Sequence, residues 1–366
     1  MYRLVLVIGS LLVSSLGWGA EPDWSKIETI VEAGIKAGEM PGAVVVVADQ
    51  EKVLYRHAFG DRQIEPTREP MTVETVFDMA SITKPVATAT SVMILVQQKK
   101  VDVDQPVQNY LPEFGDAGKS EITVADLLLH VGGLIPDNSL RDYQNGIDKA
   151  WQNIWDLKPI APRREKFSYT DVGFLVLGKL VERVSGKPLN QFAAEQIFQP
   201  LEMGQTGYRP SAERKQQTAP TEQRDGEWIR GEVHDPRAHL LDGVAGHAGL
   251  FSTADDLVRF GQMMLGRGSL QGVQILQTET FELMTKPRKV PRGTRTYGWD
   301  HQSPYSSNRG KSFSDKAFGH GGFTGTVLWI DPDKQRVFVF LSNRLHPDGK
   351  GTVNRLAGEI ATLIGK

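Results

Sequence analysis

The stretch that decides the fold is residues 43–48, AVVVVA, a β-branched run that predicts a buried strand. A short polar gap separates it from a second strand-like run, 53–59, and this arrangement predicts a hairpin. Near the other end of the chain, 322–330 and 336–342 are again β-rich, with the turn signal Asp331-Pro332-Asp333 between them. We expect the two hairpins to share one antiparallel sheet.

Helical periodicity fills most of the chain around these strands. It predicts helices at about 24–37, 81–98, from 123 onward, 172–184, 255–265 and 353–364. Strands at both ends, with helices rather than a repeated β-α-β rhythm between them, predict an α+β fold. We expect residues 21–80 and 256–366 to form an α/β sheet domain, an antiparallel sheet flanked by helices, and 81–255 to form an inserted, mainly helical lobe.

Composition excludes several classes of protein. The chain has 366 residues, 40% of them hydrophobic and 23% charged, which excludes disorder, collagen and coiled coil. The 42 Lys and Arg against 44 Asp and Glu leave no basic surplus to hold nucleic acid. The absence of cysteine excludes thiol catalysis and a lipidated N-terminal cysteine.

Residues 1–20 resemble a secretory signal peptide. Arg3 supplies a positive charge, 4–16 is largely apolar, and small residues follow, so that cleavage after Gly19 or after Ala20 fits. The apolar stretch is short for a bilayer span, and an uncleaved anchor is the alternative. We therefore expect a secreted or periplasmic protein with no stable membrane insertion after cleavage.

Ser81-Ile82-Thr83-Lys84 is the segment with the clearest chemical pattern. It opens a predicted helix, on which residues three apart lie on one side, so the Lys84 amine can lie beside the Ser81 hydroxyl. A serine hydroxyl needs a neighbouring base to become a nucleophile, and an amine serves only if its pKa is lowered. The alternative is an ordinary helix start with a solvated lysine.

Two further motifs give this segment a context. Tyr169-Thr170-Asp171 precedes the helix predicted at 172–184, and His320-Gly321-Gly322 precedes a strand-like run. The order Ser-x-x-Lys, Tyr-x-Asn-like, Lys/His-x-Gly resembles that of the serine β-lactamase and penicillin-binding-protein superfamily. Within it, the chain is similar to the branch of class C β-lactamases, D-Ala-D-Ala carboxypeptidases and related family VIII-type carboxylesterases. Further similar segments are 122–134, 243–252, 329–332 and 342–344.

The resemblance implies a role for each matching residue. Ser81 would be the nucleophile, Lys84 its partner base, and Tyr169 the second base and the acid for the leaving group. The backbone N–H groups of Ser81 and Phe323 would form the oxyanion hole. The substrate-binding residues would be Asp171, His320, Gly321 and Gly322. The resemblance implies neither a metal nor a cofactor. It implies that the site lies at the junction of the sheet and the helical lobe.

Two departures from the family pattern bear on the chemistry. Asp171 stands where Asn is usual, and a carboxylate there would favour the ammonium form of Lys84 and raise the pKa of Tyr169. Either Lys84 or Tyr169 can therefore be the main base, and we expect these two groups to titrate as a coupled unit. His320-Gly321 stands where Lys-Thr is usual. This change predicts weaker β-lactam hydrolysis and favours an ester or amide substrate of lower acidity. Cell-wall peptides remain possible substrates.

The sequence thus predicts a secreted serine hydrolase that cleaves a small-molecule or peptidoglycan-derived ester or amide. One alternative is a non-catalytic relative that binds penicillin or a cell-wall ligand. Another is a metal-dependent hydrolase using His234, His239 and His247, because imidazole suits zinc, although their spacing fits no known ligand pattern. The sequence does not indicate the oligomeric state.

Overall fold

The valine run at 43–48 lies at the centre of the molecule in the computed structural model, which describes residues 23–366. The predicted signal peptide, 1–20, lies outside the described residues. The run forms strand β1 (Gly42–Ala48), and every residue of this strand is buried. Its alternate side chains enter two different cores, Val44 and Val46 on one face and Val45 and Val47 on the other. Both faces of this strand are therefore covered.

Short α-helices and strands alternate irregularly along the chain. The α-helices are α1 (Ser25–Lys36), α2 (Thr90–Gln97), α3 (Val124–Leu128), α4 (Ile147–Asp156), α5 (Asp171–Ser185), α6 (Leu189–Ala193), α7 (Ala212–Gln217), α8 (Pro236–Leu240), α9 (Ala254–Leu265), α10 (Thr278–Thr285) and α11 (Asn354–Ile364). The strands after β1 are β2 (Val53–Gln63), β3 (Glu69–Pro70), β4 (Phe77–Asp78), β5 (Gly207–Tyr208), β6 (Gln223–Arg224), β7 (Glu227–Trp228), β8 (Leu250–Ser252), β9 (Ser269–Leu270), β10 (Val273–Gln274), β11 (Arg288–Val290), β12 (Gly293–Arg295), β13 (Asp300–Gln302), β14 (Phe318–Gly322), β15 (Thr326–Asp331) and β16 (Arg336–Ser342).

The main sheet joins the two ends of the chain. Its nine strands run β11-β12-β13-β14-β15-β16-β1-β2-β3, and β1 pairs antiparallel with β16 on one side and β2 on the other. Helices α1 and α11 pack together beside the smaller core, and α9 packs on β16 and β1. The predicted α+β fold, with one antiparallel sheet flanked by helices, is therefore confirmed. The division at residues 81 and 255 into sheet domain and helical lobe stays a prediction.

One predicted strand is wrong. The run 322–330 is not continuous, because β14 ends at Gly322 and β15 begins at Thr326. Between them the chain turns, with the Gly325 N–H donating to the Gly322 carbonyl oxygen at 3.0 Å and Gly325 at a φ of +104°. A left-handed glycine ends a strand that β-propensity alone would continue. Phe323 therefore lies in a hairpin turn and not within a strand.

The segment predicted as one helix from 81 to 98 has three geometries. It begins as a 3₁₀ turn, Ala80–Ile82, continues as a π-helical stretch, Lys84–Ala89, and becomes the α-helix α2. The Thr90 N–H and hydroxyl both donate to the Pro85 carbonyl oxygen, which closes the wider π turn. Such turns concentrate at functional sites, where they re-aim side chains. The helix predicted from residue 123 onward is confirmed as α3, which begins with a capping box between Thr123 and Asp126.

Among residues 23–366 no helix combines the length and apolar character that crossing a membrane requires.

Replacing Phe340 by Ala tests the smaller core. Phe340 lies on β16 and is fully buried between the sheet and the terminal helices. We expect the free energy of unfolding to fall by about 3–5 kcal/mol, because the truncation leaves a cavity. Chemical denaturation measures this change. Val53→Ala, at a strand position with 44% of the side chain exposed, is the control and should cost well under half as much. Equal losses would contradict this assignment of the core.

Candidate active site

Ser81 follows a strained turn that a buried carboxylate holds. Ala80 has a φ of +43°, which is uncommon for a residue with a side chain. Its N–H donates to the Asp78 carboxylate at 2.8 Å, and the same carboxylate accepts the N–H of His234 at 2.7 Å. Burial raises the pKa of Asp78, and these two N–H donors oppose that rise. The turn presents Ser81 to a cavity.

The Lys84 amine lies at the centre of the site. Its Nζ donates to the Ser81 Oγ at 2.9 Å and to the His247 carbonyl oxygen at 3.1 Å. The Asp171 Oδ1 lies 2.6 Å from the same Nζ. Lys84 is fully buried. The amine therefore lies beside the hydroxyl, as the spacing of the two residues predicts.

The Asp171 carboxylate controls the charge of Lys84. Burial by itself lowers the pKa of Lys84, but the charge of Asp171 and the neighbouring Tyr169 hydroxyl outweigh this effect and raise it. Lys84 is therefore an ammonium ion at neutral pH. As an ammonium ion, Lys84 donates a hydrogen bond to the Ser81 hydroxyl.

The Tyr169 ring is fixed by stacking. It stacks with the rings of His130, at a centroid distance of 4.4 Å, and Tyr305, at 4.9 Å. The next residue, Thr170, donates its N–H to His130 Nδ1 at 3.1 Å and caps α5 with its side chain. Tyr169 thus enters the site from the start of a helix whose first residue is Asp171. Sequence reasoning did not identify His130 as the support for this ring.

The Tyr169 hydroxyl is buried and has no partner of standard hydrogen-bond geometry within residues 23–366. Burial raises its pKa, the Lys84 charge opposes the rise, and the Asp171 charge adds to it. The Ser81 hydroxyl, which lines the same cavity as Tyr169, also lowers this pKa. The pKa values of Lys84 and Tyr169 therefore depend on each other, and the two groups titrate as a coupled pair beside the Asp171 carboxylate.

The hairpin that joins β14 to β15 is attached directly to the turn at residues 78–81, which we call the nucleophile turn after the role predicted for Ser81. The hydroxyl of Thr324 donates to the Asp78 carbonyl oxygen at 2.7 Å, and that of Thr326 to the Met79 carbonyl oxygen at 3.2 Å. A Cβ at Gly322 would lie 2.5 Å from the Met79 carbonyl oxygen and 2.1 Å from the Thr326 hydroxyl. The glycine is required here because the protein itself fills the space next to it.

Two backbone N–H groups at this junction have no backbone acceptor among the described residues, those of Ser81 and Phe323. Both residues line the same cavity. Paired free N–H groups of this kind stabilise the oxyanion of a tetrahedral intermediate. The Phe323 side chain is 61% exposed and stacks on His234.

His320 is an uncharged residue in this structure. Its Nδ1–H donates to the Gly321 carbonyl oxygen at 2.8 Å, which leaves Nε2 without a partner in the described part of the chain. Burial, together with the charges of Arg295 and Lys84, lowers its pKa well below the usual value. A lysine in this position would bring a positive charge that the imidazole does not.

The cavity has a volume of about 380 Å³, a size that suits a small substrate. Of the predicted site residues it is lined by Ser81, Tyr169, His320, Gly321, Gly322 and Phe323. Lys84 and Asp171 do not line the cavity. They lie beneath its surface, where Lys84 contacts both Ser81 and Asp171. Sequence reasoning did not identify the other lining residues, Arg295, Asp300, Tyr305, Asn308, Arg344, Thr352, Val353 and Asn354. Only Arg344 stood in a motif that resembled the family.

The structure does not bring the three candidate metal-binding histidines together. Among residues 23–366, the group with closely spaced ligand atoms is Asp171, Asp235 and His247, all within 4.8 Å of one another. Within this group, His247 Nε2 lies 2.9 Å from Asp235 Oδ1. The Asp171 carboxylate already has a positively charged partner, the Lys84 amine at 2.6 Å. His234 instead contacts Glu222 at 2.5 Å.

The sheet, the flanking helices and the Ser-x-x-Lys turn against the β14–β15 hairpin define a β-lactamase-like fold. A family model described as beta-lactamase matches residues 27–362. The chain therefore belongs to the beta-lactamase family, as the resemblance of its motifs predicts, and it is a hydrolase of that superfamily.

Two relatives and one solved structure are similar to this chain. A Bacillus subtilis strain 168 protein named N-acetylmuramyl-L-alanine amidase is 34% identical over 358 residues, 88% of this chain and 81% of the relative. An Escherichia coli K12 protein named putative D-alanyl-D-alanine carboxypeptidase is 31% identical over 346 residues, 84% and 79% of the two chains. The solved structure of EstCE1, a hydrolase with promiscuous acyltransferase activity, has a TM-score of 0.76 at 22% identity and covers 93% of this chain and 98% of that one.

Replacing Gly322 by Ala tests the close approach of sheet and nucleophile turn. The new Cβ collides with the Met79 carbonyl oxygen, so we expect a loss of stability of about 1–3 kcal/mol. Thermal unfolding measures it. Gly204→Ala is the matched control, because a Cβ there meets nothing within 4 Å. A Gly322 variant as stable as the control would contradict the close packing.

Proposed function

We propose that this protein is a serine hydrolase that cleaves an amide of a peptidoglycan-derived substrate through an acyl-enzyme at Ser81, outside the cytoplasm. The observation that carries the proposal is the Lys84 Nζ, 2.9 Å from the Ser81 Oγ and 2.6 Å from Asp171, behind a cavity that Tyr169 also lines. The export signal expected at residues 1–20 supports the location.

The charge state of the site supports Tyr169 as the proton carrier. Lys84 is held as an ammonium ion by Asp171, so it stabilises negative charge on the neighbouring oxygens. In acylation, Tyr169 reacts as its phenolate, a minor form because burial raises the pKa of this phenol, and it takes the Ser81 proton while Oγ bonds to the carbonyl carbon. The carbonyl oxygen becomes an anion that accepts hydrogen bonds from the N–H groups of Ser81 and Phe323. Tyr169 then passes its proton to the leaving nitrogen, the C–N bond breaks, and the amine departs.

Hydrolysis of the acyl-enzyme uses the same groups in reverse. Water gives a proton to Tyr169 as it attacks the ester carbon. The new intermediate then collapses, the carboxylic acid leaves, and Ser81 recovers its proton from Tyr169. No group outside the chain is required beyond water.

The names of the two curated relatives support an amide substrate of cell-wall origin, because both relatives share over 30% identity with most of this chain. A small ester is the second candidate. The uncharged His320, which replaces the usual lysine, favours it over a β-lactam. Kinetics on a short-chain p-nitrophenyl ester, nitrocefin, a D-Ala-D-Ala peptide and an N-acetylmuramyl-L-alanyl peptide separate these substrate classes.

Ser81→Ala tests the nucleophile. We expect turnover of the preferred substrate to fall by about 10³–10⁶-fold, because the members of such a catalytic unit act together. Covalent labelling by a fluorophosphonate, located by peptide mass spectrometry, should fall on Ser81 and disappear in the variant. Ser211→Ala, at an exposed serine that caps α7, is the control and should be labelled like the native protein. A label on another residue would refute the proposal, and binding of a fluorescent penicillin without turnover would support a non-catalytic relative.

Asp171→Asn tests the coupled unit. The base must be deprotonated, so activity is lost as the pH falls through the pKa of that base. Asp171 raises the pKa of both Tyr169 and Lys84, and removing its charge lowers both. We therefore expect the acidic limb of the kcat/KM profile to move to lower pH. Asp61→Asn, at a surface ion pair, should leave the limb in place. A limb that stays in place or moves to higher pH in Asp171→Asn would contradict this charge coupling.

A further inference from the structure

The direction in which the Lys84 ammonium points depends in part on a backbone carbonyl group. Its Nζ contacts the Ser81 Oγ at 2.9 Å, the Asp171 Oδ1 at 2.6 Å and the carbonyl oxygen of His247 at 3.1 Å. An ammonium group has three N–H donors. If the carbonyl group moved, the ammonium would lose one of its acceptors and could turn away from the nucleophile. The hydrogen bond to Ser81 therefore depends on where this carbonyl group lies.

The carbonyl group belongs to a segment rich in glycine, 243–249, with the sequence GVAGHAG. Glycine leaves the backbone many accessible conformations, and Gly249 adopts a φ of +110°. Contacts with the rest of the protein therefore decide where the segment lies. One contact is the hydroxyl of Thr88, which donates to the Gly246 carbonyl oxygen at 2.7 Å. Another is the side chain of His247.

The His247 ring is fully buried and is bonded to a carboxylate. Its Nε2–H donates to the Asp235 Oδ1 at 2.9 Å, and its Nδ1 has no partner in the part of the chain that the structure describes. Burial raises the pKa of Asp235, but the interaction with His247 and the N–H of Ala238 outweigh burial and hold this pKa below its usual value. Asp235 is therefore an ionised acceptor, and its hydrogen bond orients the imidazole.

Asp235 is itself firmly placed. Its Oδ1 also accepts the Ala238 N–H at 2.8 Å and so caps α8. The preceding residue, His234, donates its N–H to Asp78, the carboxylate that holds the nucleophile turn. Asp235 therefore connects the nucleophile turn to the glycine-rich segment 243–249.

The carboxylate of Asp235 also acts on Lys84 through its charge. Ligand atoms of Asp171, Asp235 and His247 lie within 4.8 Å of one another, and the charge of Lys84 contributes to the low pKa of Asp235. This attraction is mutual, so Asp235 also stabilises the ammonium form of Lys84. Neither Asp235 nor His247 lines the cavity in front of Ser81.

We propose that Asp235 and His247 are a pair of positioning residues, which align the Lys84 ammonium on Ser81 through the carbonyl oxygen of His247. The pair acts on the reaction of Ser81 and not on the binding of the substrate, because it lies outside the cavity. This inference rests on the proposed function, since the alignment serves a nucleophile at Ser81. It gives His247, a candidate zinc ligand on sequence grounds, a different role.

Replacing His247 tests the pair. His247→Leu occupies the space of the ring without an N–H donor. We expect the rate constant for labelling of Ser81 by a fluorophosphonate, followed by mass spectrometry, to fall by about 10- to 100-fold, the loss expected for a hydrogen bond to a charged group. The half-saturating fluorophosphonate concentration should stay unchanged. His247→Gln offers an amide N–H to Asp235 and should recover part of the rate constant.

Replacing Asp235 tests the other member without disturbing the buried ring position. Asp235→Asn removes the charge and keeps an oxygen for the Ala238 N–H, and it should lower the same rate constant. Asp256→Asn is the matched control. The Asp256 carboxylate is also buried and accepts the N–H of Gln205 and the hydroxyl of Thr206, both at 2.8 Å, but it does not line the cavity. This variant should keep the native rate constant.

A Lys84→Met background shows whether the pair acts through Lys84. Labelling of Ser81 is slow there, and adding Asp235→Asn should slow it no further, because the group that the pair aligns is gone. A further loss as large as in the native protein would indicate a purely structural role and overturn the inference.

The remaining outcomes separate the two proposals. Native rate constants in both His247→Leu and Asp235→Asn would overturn the inference and leave the proposed function standing. A loss in Asp256→Asn as large as in Asp235→Asn would overturn it as well. Absence of a Ser81 adduct in the native protein would overturn the proposed function itself.

Discussion

The buried ion pair between Lys84 and Asp171 is the interaction on which the site depends. Removing one partner of such a pair leaves an uncompensated charge in the interior, which is strongly unfavourable. The pair joins the start of the π-helical stretch after Ser81 to the first residue of α5, and a further bond from the Lys84 Nζ reaches the carbonyl oxygen of His247. Three segments that are distant in the chain therefore meet at one nitrogen atom. The same pair favours the ammonium form of Lys84, and in the mechanism proposed above Tyr169 therefore carries the proton.

The sheet supplies the other half of the site through backbone contacts rather than charges. Thr324 and Thr326 attach the hairpin after β14 to the carbonyl groups just before Ser81. Gly322 allows that contact because it has no side chain. The result is a nucleophile turn held from both sides, by ionic contacts toward the helices and by hydrogen bonds toward the sheet. Both halves must fold before the cavity exists.

Much of this arrangement follows from local sequence, and the remainder does not. The valine run predicts β1 because it fits only a strand covered on both faces, and the spacing of Ser81 and Lys84 predicts their contact. The turn at 323–325 was missed because β-branched neighbours mask Gly325, whose left-handed conformation local propensity does not reveal. Arg295, Tyr305 and Asp78 were missed for a different reason. Their roles arise from strand pairing and burial between remote segments, which leave no periodic signal in the sequence. The metal alternative failed to assemble because His234 and His247 have different carboxylate partners, Glu222 and Asp235.

The carboxylate of Asp78 has a mechanical consequence. One oxygen holds the amide of Ala80 and the other holds the amide of His234, so a single side chain links the backbone of the nucleophile turn to a loop more than a hundred residues away in the chain. The aromatic ring of Phe323 rests on that same loop through His234. Displacement of the loop would therefore be transmitted both to the backbone before Ser81 and to Phe323, on opposite sides of the oxyanion position.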